Sequence, residues 1–306
     1  MKPAFFSDST QKLWWALVAC LLLLLVGAAP IAVRAADSPE ELLIGIEPEH
    51  NIFEQMERYR ILAAYISDKL GVNVKLTIMS RYGEVIKRFK TLKLDGAFLT
   101  SYTATMGIKE LNLVPMVNPV NLSGESTSEG YIFVRKDSGI RNFNDMKGSS
   151  IVFVDPATLE GYLFPLYFLQ QHGVTDVNTF FGHIFFSGSH ASAIYAVLDG
   201  RADIGAAKST VYNHLVANDP SIGNELQIIA QSPKVPEVTL CIKREIAEDL
   251  GEKLDTILLD MNKTPDGSKV LQQFKALGFV KSNPGEFAVI EKIAQIALGA
   301  IAVHGK

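Results

Sequence analysis

The sequence predicts an α/β fold made of two similar lobes, and three observations lead there. Short apolar strands alternate with amphipathic helices from Glu41 to about Ser209, a pattern that predicts parallel sheets covered by helices. The alternation occurs twice, as two βαβαβ units of like length. Between them NLSGESTSEGY, residues 121–131, is rich in Gly and Ser and reads as a crossover or hinge. A single doubly wound sheet is the competing arrangement.

The first unit opens with LLIGI over residues 42–46, a short apolar run of strand length. Residues 53–70 carry apolar side chains at helical spacing and stop at Gly71, a helix terminator. Residues 74–80 form the next strand, 83–92 the next helix and 96–100 the third strand. The second unit repeats this as strand 150–154, helix 161–172 stopped by Gly173, strand 183–187, helix 191–198 and strand 202–206. SRYGEVIKRFKTLKLDGAFLTS from Ser80 lies over SHASAIYAVLDGRADIGAAKS from Ser189, with Ser-to-Asp separations of 15 and 14 positions. Further on, SPKVPEV at 232–238 holds two prolines and cannot lie inside a helix. A strand at 239–242 and helices including 251–261 and 268–277 follow, and are expected to return to the first lobe. Two crossings then make a two-segment hinge, with lobe 1 at residues 37–126 plus 238–306 and lobe 2 at 127–237.

Residues 1–36 read as a leader. Lys2 and Lys12 flank a polar start, residues 13–26 are almost wholly apolar, and Val33 to Ala36 offers a signal-peptidase site. Two alternatives stand beside a cleaved signal peptide: an uncleaved anchor over residues 13–33, and a lipoprotein box at Leu17-Val18-Ala19-Cys20. Cutting after Ala35 leaves 271 of the 306 residues and removes Lys2, Lys12, Arg34 and Asp8, which takes the net charge from −4 to −6. An acidic chain is a poor partner for nucleic acid. Only Cys241 then remains, so neither an internal disulfide nor a cysteine metal site can form. Export without disulfides fits a bacterial periplasm.

Ligands of parallel α/β sheets gather at the carboxyl ends of the strands. The first unit places Glu47, Glu49, His50, Asn51, Arg81, Tyr82, Ser101 and Tyr102 there; the second places Asp155, Thr158, Glu160, Ser189, His190, Lys208, Ser209 and Thr210. The set suits a small hydrophilic solute and lacks a catalytic constellation. Ser189 and His190 are neighbours that rarely face one another, and no Gly-x-Ser-x-Gly elbow is present. Glu47, Glu49 and His50 match no zinc spacing, and a solvated turn explains them equally well. Neither a dinucleotide fingerprint nor a phosphate loop occurs, and no cofactor is expected.

At these positions the chain resembles the phosphate, phosphite and phosphonate-binding proteins of bacterial ABC importers, which have the periplasmic binding protein type II fold. The resemblance runs from about Leu42 to Phe279. It is carried by GIEPEHN, SRYGEVI, LDGAFLTSYTA, EGYIFVRKDSGI, NDMKGSSIVFVDPATLEGYLFP, FSGSHASAIYAVLDGRADIGA and SPKVPE. It implies that Tyr82, Tyr131, hydroxyls of the Asp-Pro turn and His190 surround an anion. The turn departs from that pattern: where phosphonate binders carry Ser-Thr-Ser, this chain has Thr158, Leu159 and Glu160. Ala191 and Val238 stand near places where such binders carry acids that meet a ligand amine.

A helix start favours an anion, and Glu160 can satisfy that field itself. Either Glu160 points out of the cleft, or it points in and the ligand brings a cation or hydroxyls. The resulting expectation is an exported, monomeric solute-binding protein that closes on a small polar ligand, phosphonate-like or a related metabolite, and presents it to an ABC permease. The expected binding residues are Tyr82, Ser101, Tyr102, Tyr131, Thr158, Leu159, Glu160 and His190. A ligand-sensing input to a membrane receptor or histidine kinase is the alternative function.

Overall fold

The structure, a computed structural model, describes residues 40–49 and 52–304, with side chains in the last helix to residue 299. The leader, together with its anchor and lipoprotein alternatives, lies outside the described residues, as do His50 and Asn51. The chain begins β1 (Glu41–Ile46), α1 (Ile52–Leu70), β2 (Asn73–Ile78), α2 (Val85–Thr91), β3 (Gly96–Thr100), α3 (Ser101–Leu111) and β4 (Val114–Asn121). It crosses through β5 (Thr127–Ser128) into β6 (Gly130–Arg135), β7 (Ser150–Phe153), a π-helical turn (Leu159–Leu163), α4 (Phe164–Gln171) and α5 (Val177–Phe180). Next come β8 (His183–Phe186), α6 (His190–Leu198), β9 (Ile204–Lys208), α7 (Ser209–Asn218), α8 (Pro220–Glu225) and β10 (Leu226–Gln231). After β11 (Val235–Pro236) the chain ends with β12 (Val238–Ile242), α9 (Arg244–Leu259), α10 (Pro265–Phe274), β13 (Ala276–Lys281) and α11 (Ala288–His304).

Two sheets result, in the orders β13-β4-β12-β3-β1-β2 and β10-β6-β9-β7-β8. The strands of the two repeated units are parallel as the alternation predicts, with β1 between β2 and β3, and β7 between β8 and β9. The sheets are nevertheless mixed, because β12 runs antiparallel to β3 and β4, and β6 antiparallel to β9 and β10. Strand β4 escapes a sequence reading because Pro115 and Pro119 demote it. The fold accommodates Pro115 by a register slip in β12 between Leu240 and Cys241. The helix expected at 268–277 ends at Phe274, where Lys275 takes a left-handed φ of 62°, and Leu277 belongs to β13.

Burial explains why these segments take these forms. On α1, Tyr59, Leu62, Ala63, Ile66 and Leu70 recur at helical spacing and sit in the core of the first sheet. All five residues of β9 are buried, and Gly205 lets Phe133 lie against it, since an added Cβ would stand 2.6 Å from that ring. The strand expected at 202–206 is shifted to Ile204–Lys208, which places Lys208 at its carboxyl end.

The sheets are joined by an antiparallel ribbon in which Thr127 pairs with Pro236 and Ser128 with Val235. This is the two-segment crossing of the two-lobed fold. The C-terminal segment only partly follows expectation. β12 and β13 join the first sheet, but α11 packs on both α3 and α4, and Gln170 donates to the Ala297 carbonyl at 3.1 Å. Among the described residues no helix is long and apolar enough to cross a membrane.

Candidate functional site

On the first lobe, the turn after β1 is pinned by buried Gln55, which donates to the Glu47 carbonyl at 2.7 Å and accepts from the Glu49 N–H at 3.1 Å. This fixes the Glu47 carboxyl at the start of α3. Its Oε2 accepts from the Thr100 N–H at 2.8 Å and lies 3.0 Å from the Thr100 hydroxyl and 2.5 Å from that of Thr103. Its Oε1 is buried with no partner. Burial pushes the Glu47 carboxyl up to about 7, although the three donors pull the other way.

On the second lobe, β7 leads into the Asp155 turn. The Thr158 N–H and hydroxyl both donate to the Asp155 carbonyl, at 3.0 and 2.7 Å. Glu160 follows in the π-helical turn, 1% exposed, and it points inward. Its Oε1 accepts from Ser101 of the first lobe at 3.2 Å and from Ser128 of the crossing at 3.0 Å. Gly130 permits this approach, since a Cβ there would stand 3.1 Å from the Glu160 Cα. The inward alternative of the sequence reading is therefore the one realised.

Lys208, 1% exposed at the end of β9, makes an ion pair with Glu49 across the lobes and reaches the Glu237 carbonyl at 3.5 Å. Burial alone would lower the Lys208 pKa, but Glu49, then Glu160 and Glu237, overcome it and hold the ammonium above its usual value. Burial pushes Glu237 upward against the pull of Lys208, and its carboxylate accepts from Thr210 at 2.7 Å.

Of the residues expected at the site, Tyr82, Ser101, Glu160 and His190 are brought together. The Tyr82 and His190 rings meet edge to face across the lobes at 6.0 Å. The Lys208 N–H donates to His190 Nδ1 at 3.0 Å, which places the ring proton on Nε2. Burial, then Glu49, Glu47, Glu160 and Asp155, raise the Tyr82 hydroxyl pKa, and that hydroxyl is buried with no partner. Tyr131 shares a buried cluster with Tyr82 and packs edge to face on Tyr212 at 5.6 Å.

Three placements differ from the sequence reading. Thr158 donates both its N–H and its hydroxyl to the Asp155 carbonyl, inside its own turn. Leu159 is fully buried in an apolar cluster, and Tyr102 packs half-buried against the same cluster, because the first turn of each helix directs them to the core. Ser189 caps α6 by accepting from the Ser192 N–H at 3.1 Å, and the His190 ring is engaged elsewhere. Glu237 and Ser128 were not singled out; their position in the hinge segments was the available signal. Among the described residues no group of His, Cys, Asp or Glu is arranged to hold a metal ion.

The start of α3 thus carries two of the chain's own carboxyls, Glu47 at Thr100 and Glu160 at Ser101. Each interaction of a carboxylate with a helix terminus is worth about 0.3–1 kcal/mol. A further anion within ~4 Å of a carboxylate meets about 4 kcal/mol of repulsion at an effective dielectric of 20. Repulsion outweighs the field of the helix.

The lobes also touch at Gly83, whose φ is +74° and whose added Cβ would lie 2.8 Å from that of Ala157. Gly83→Ala is expected to cost roughly 1–2 kcal/mol through the left-handed backbone and to hold the lobes apart. Urea denaturation with small-angle scattering checks this: an unchanged midpoint and radius of gyration would contradict it.

Comparison with known proteins agrees with this architecture. A sequence model of the family described as "ABC transporter, phosphonate, periplasmic substrate-binding protein" matches residues 44–287. A probable phosphite-binding protein of an ABC transporter from Prochlorococcus marinus (strain MIT 9301) is 24% identical over 294 residues, covering 91% of this chain and 96% of its own. A binding component of an ABC phosphonate transporter from Pseudomonas aeruginosa superposes with a TM-score of 0.74 at 20% identity, covering 87% and 89% of the two chains. A Prochlorococcus marinus protein solved with methylphosphonate gives 0.71 at 22% identity, covering 86% and 99%. These two likenesses speak to the fold, the two-lobed type II arrangement. The family match spans most of the chain, and the protein belongs to the phosphonate-type periplasmic substrate-binding proteins of ABC transporters, a family that binds substrates and is not one of enzymes.

Proposed function

We propose that this protein is exported to the periplasm, captures a small polar solute between its lobes as a monomer, and hands it unchanged to an ABC permease. The lobes divide at residues 37–126 plus 238–306 and 127–237. One observation carries the reading: buried polar groups of both sheets converge where the lobes meet, as Glu49 with Lys208, Ser101 with Glu160, and Tyr82 with His190. Polar burial of this density is costly in a purely structural seam. A solute that joins it favours closure by touching both lobes at once. Tyr82, Ser101, Tyr131, Glu160 and His190 are the groups assigned to it.

A thermal-shift panel of phosphate, phosphite, methylphosphonate, 2-aminoethylphosphonate, small amines and small carboxylates tests this. A binder at ~100 times its dissociation constant stabilises by about 2.7 kcal/mol, or roughly 5–10 °C for a chain of this size. A flat response across the panel would remove the support for solute binding.

A further inference from the structure

The charge balance where the lobes meet deepens that reading. Glu47, Glu49, Glu160 and Glu237 converge there with Asp155 nearby, and Lys208 is the cation that answers them. Lys208 is already committed to Glu49 and reaches the Glu237 carbonyl. At the helix start that would draw an oxyanion, Glu47 already accepts the Thr100 N–H and Glu160 the Ser101 hydroxyl, so two carboxyls stand beside it. Two buried oxygens in the same place lack partners: Glu47 Oε1, and the hydroxyl of Tyr82, which is set among Glu49, Glu47, Glu160 and Asp155. Both can accept a hydrogen bond, and buried acceptors of this kind call for a donor.

We propose that this seam recognises a solute bearing a primary ammonium group, with Glu160 and Glu47 selecting the positive charge and Tyr82 and Glu47 Oε1 accepting its N–H donors. The inference rests on the solute-binding reading. It places the positive charge at the start of α3, beside Glu47 and Glu160. An ammonium group supplies three donors on a compact cation, matching acceptors that no other described group satisfies.

Titration calorimetry on the purified protein tests this with four probes: methylphosphonate, phosphate, ethanolamine and putrescine. Ethanolamine or putrescine is expected to bind at least tenfold more tightly than either oxyanion. Glu160→Gln, which keeps the acceptor for Ser101 and Ser128, is expected to weaken the amine at least tenfold. Glu160→Ser is expected to shift the amine-to-oxyanion ratio further toward the oxyanion, and circular dichroism melts verify that both variants fold. An oxyanion that binds the wild type more tightly than both amines overturns this inference and leaves solute binding standing, as does a ratio unmoved in both variants. Silence from every probe, with the wider panel silent as well, overturns both.

Discussion

Replacing Lys208 with methionine is expected to lower the unfolding free energy by about 3–5 kcal/mol, the range for removing one partner of a buried ion pair. Methionine keeps most of the apolar stem, so the loss is electrostatic rather than a cavity. Glu49, Glu160 and Glu237 all act on the ammonium, and without it they remain in a seam where Glu160 is 1% exposed and the Glu49 side chain 9%. The seam can relieve itself by parting and letting water reach the carboxylates. The variant is therefore expected to show a wider radius of gyration along with its lower denaturation midpoint. Adding Glu49→Leu to Lys208→Met is expected to restore at least half of the loss, since a paired removal leaves one fewer uncompensated charge. A single-variant loss below about 1 kcal/mol, or a double variant no better than the single, would show that Lys208 does not neutralise this seam.

The fold was legible because its signals are local. Periodicity placed α1 within one residue of its observed start, located β3 over residues 96–100, and gave the crossing segments that pair as β5 and β11. Strands β4, β6, β10 and β13 were all missed; prolines hide β4 and a continuing helical pattern hides β13, while β6 and β10 lie outside the repeated βαβαβ pattern that guided the reading. The site was legible only in part because its contacts are not local. Lys208 meets Glu49 across 159 positions, and Glu160 meets Ser101 across 59. Strand-end logic named all four as candidates, yet nothing in the letters says that Lys208 turns inward or that Glu160 reaches Ser101 of the other lobe. Tyr102 illustrates the converse: its position beside Ser101 suggested a wall of the cleft, but on α3 that position faces the core.

Glu47 gives the chain a pH dependence that separates it from the surface carboxylates. Its folded pKa is raised to about 7 from 4.5, so the native state binds its proton more tightly than the unfolded chain. The stabilisation is fully present below about pH 4.5 and is lost as pH rises through about 7. At about 1.4 kcal/mol per unit, the loss from pH 5 to pH 8 is on the order of 3 kcal/mol. Glu237, whose pKa burial also raises, contributes in the same direction, whereas Glu84, Asp137 and Asp219 are lowered and titrate below this window. Glu47→Gln keeps an acceptor for the Thr100 N–H and removes the titration. Urea denaturation at pH 5 and pH 8 is therefore expected to find the variant close to wild type at pH 5 and more stable than wild type at pH 8. An identical gap at both values would mean that Glu47 stays charged in the fold, with its three donors outweighing burial. The same result would favour the ammonium inference, since an ionised Glu47 with Oε1 still unpartnered attracts a cationic guest more strongly than a protonated one.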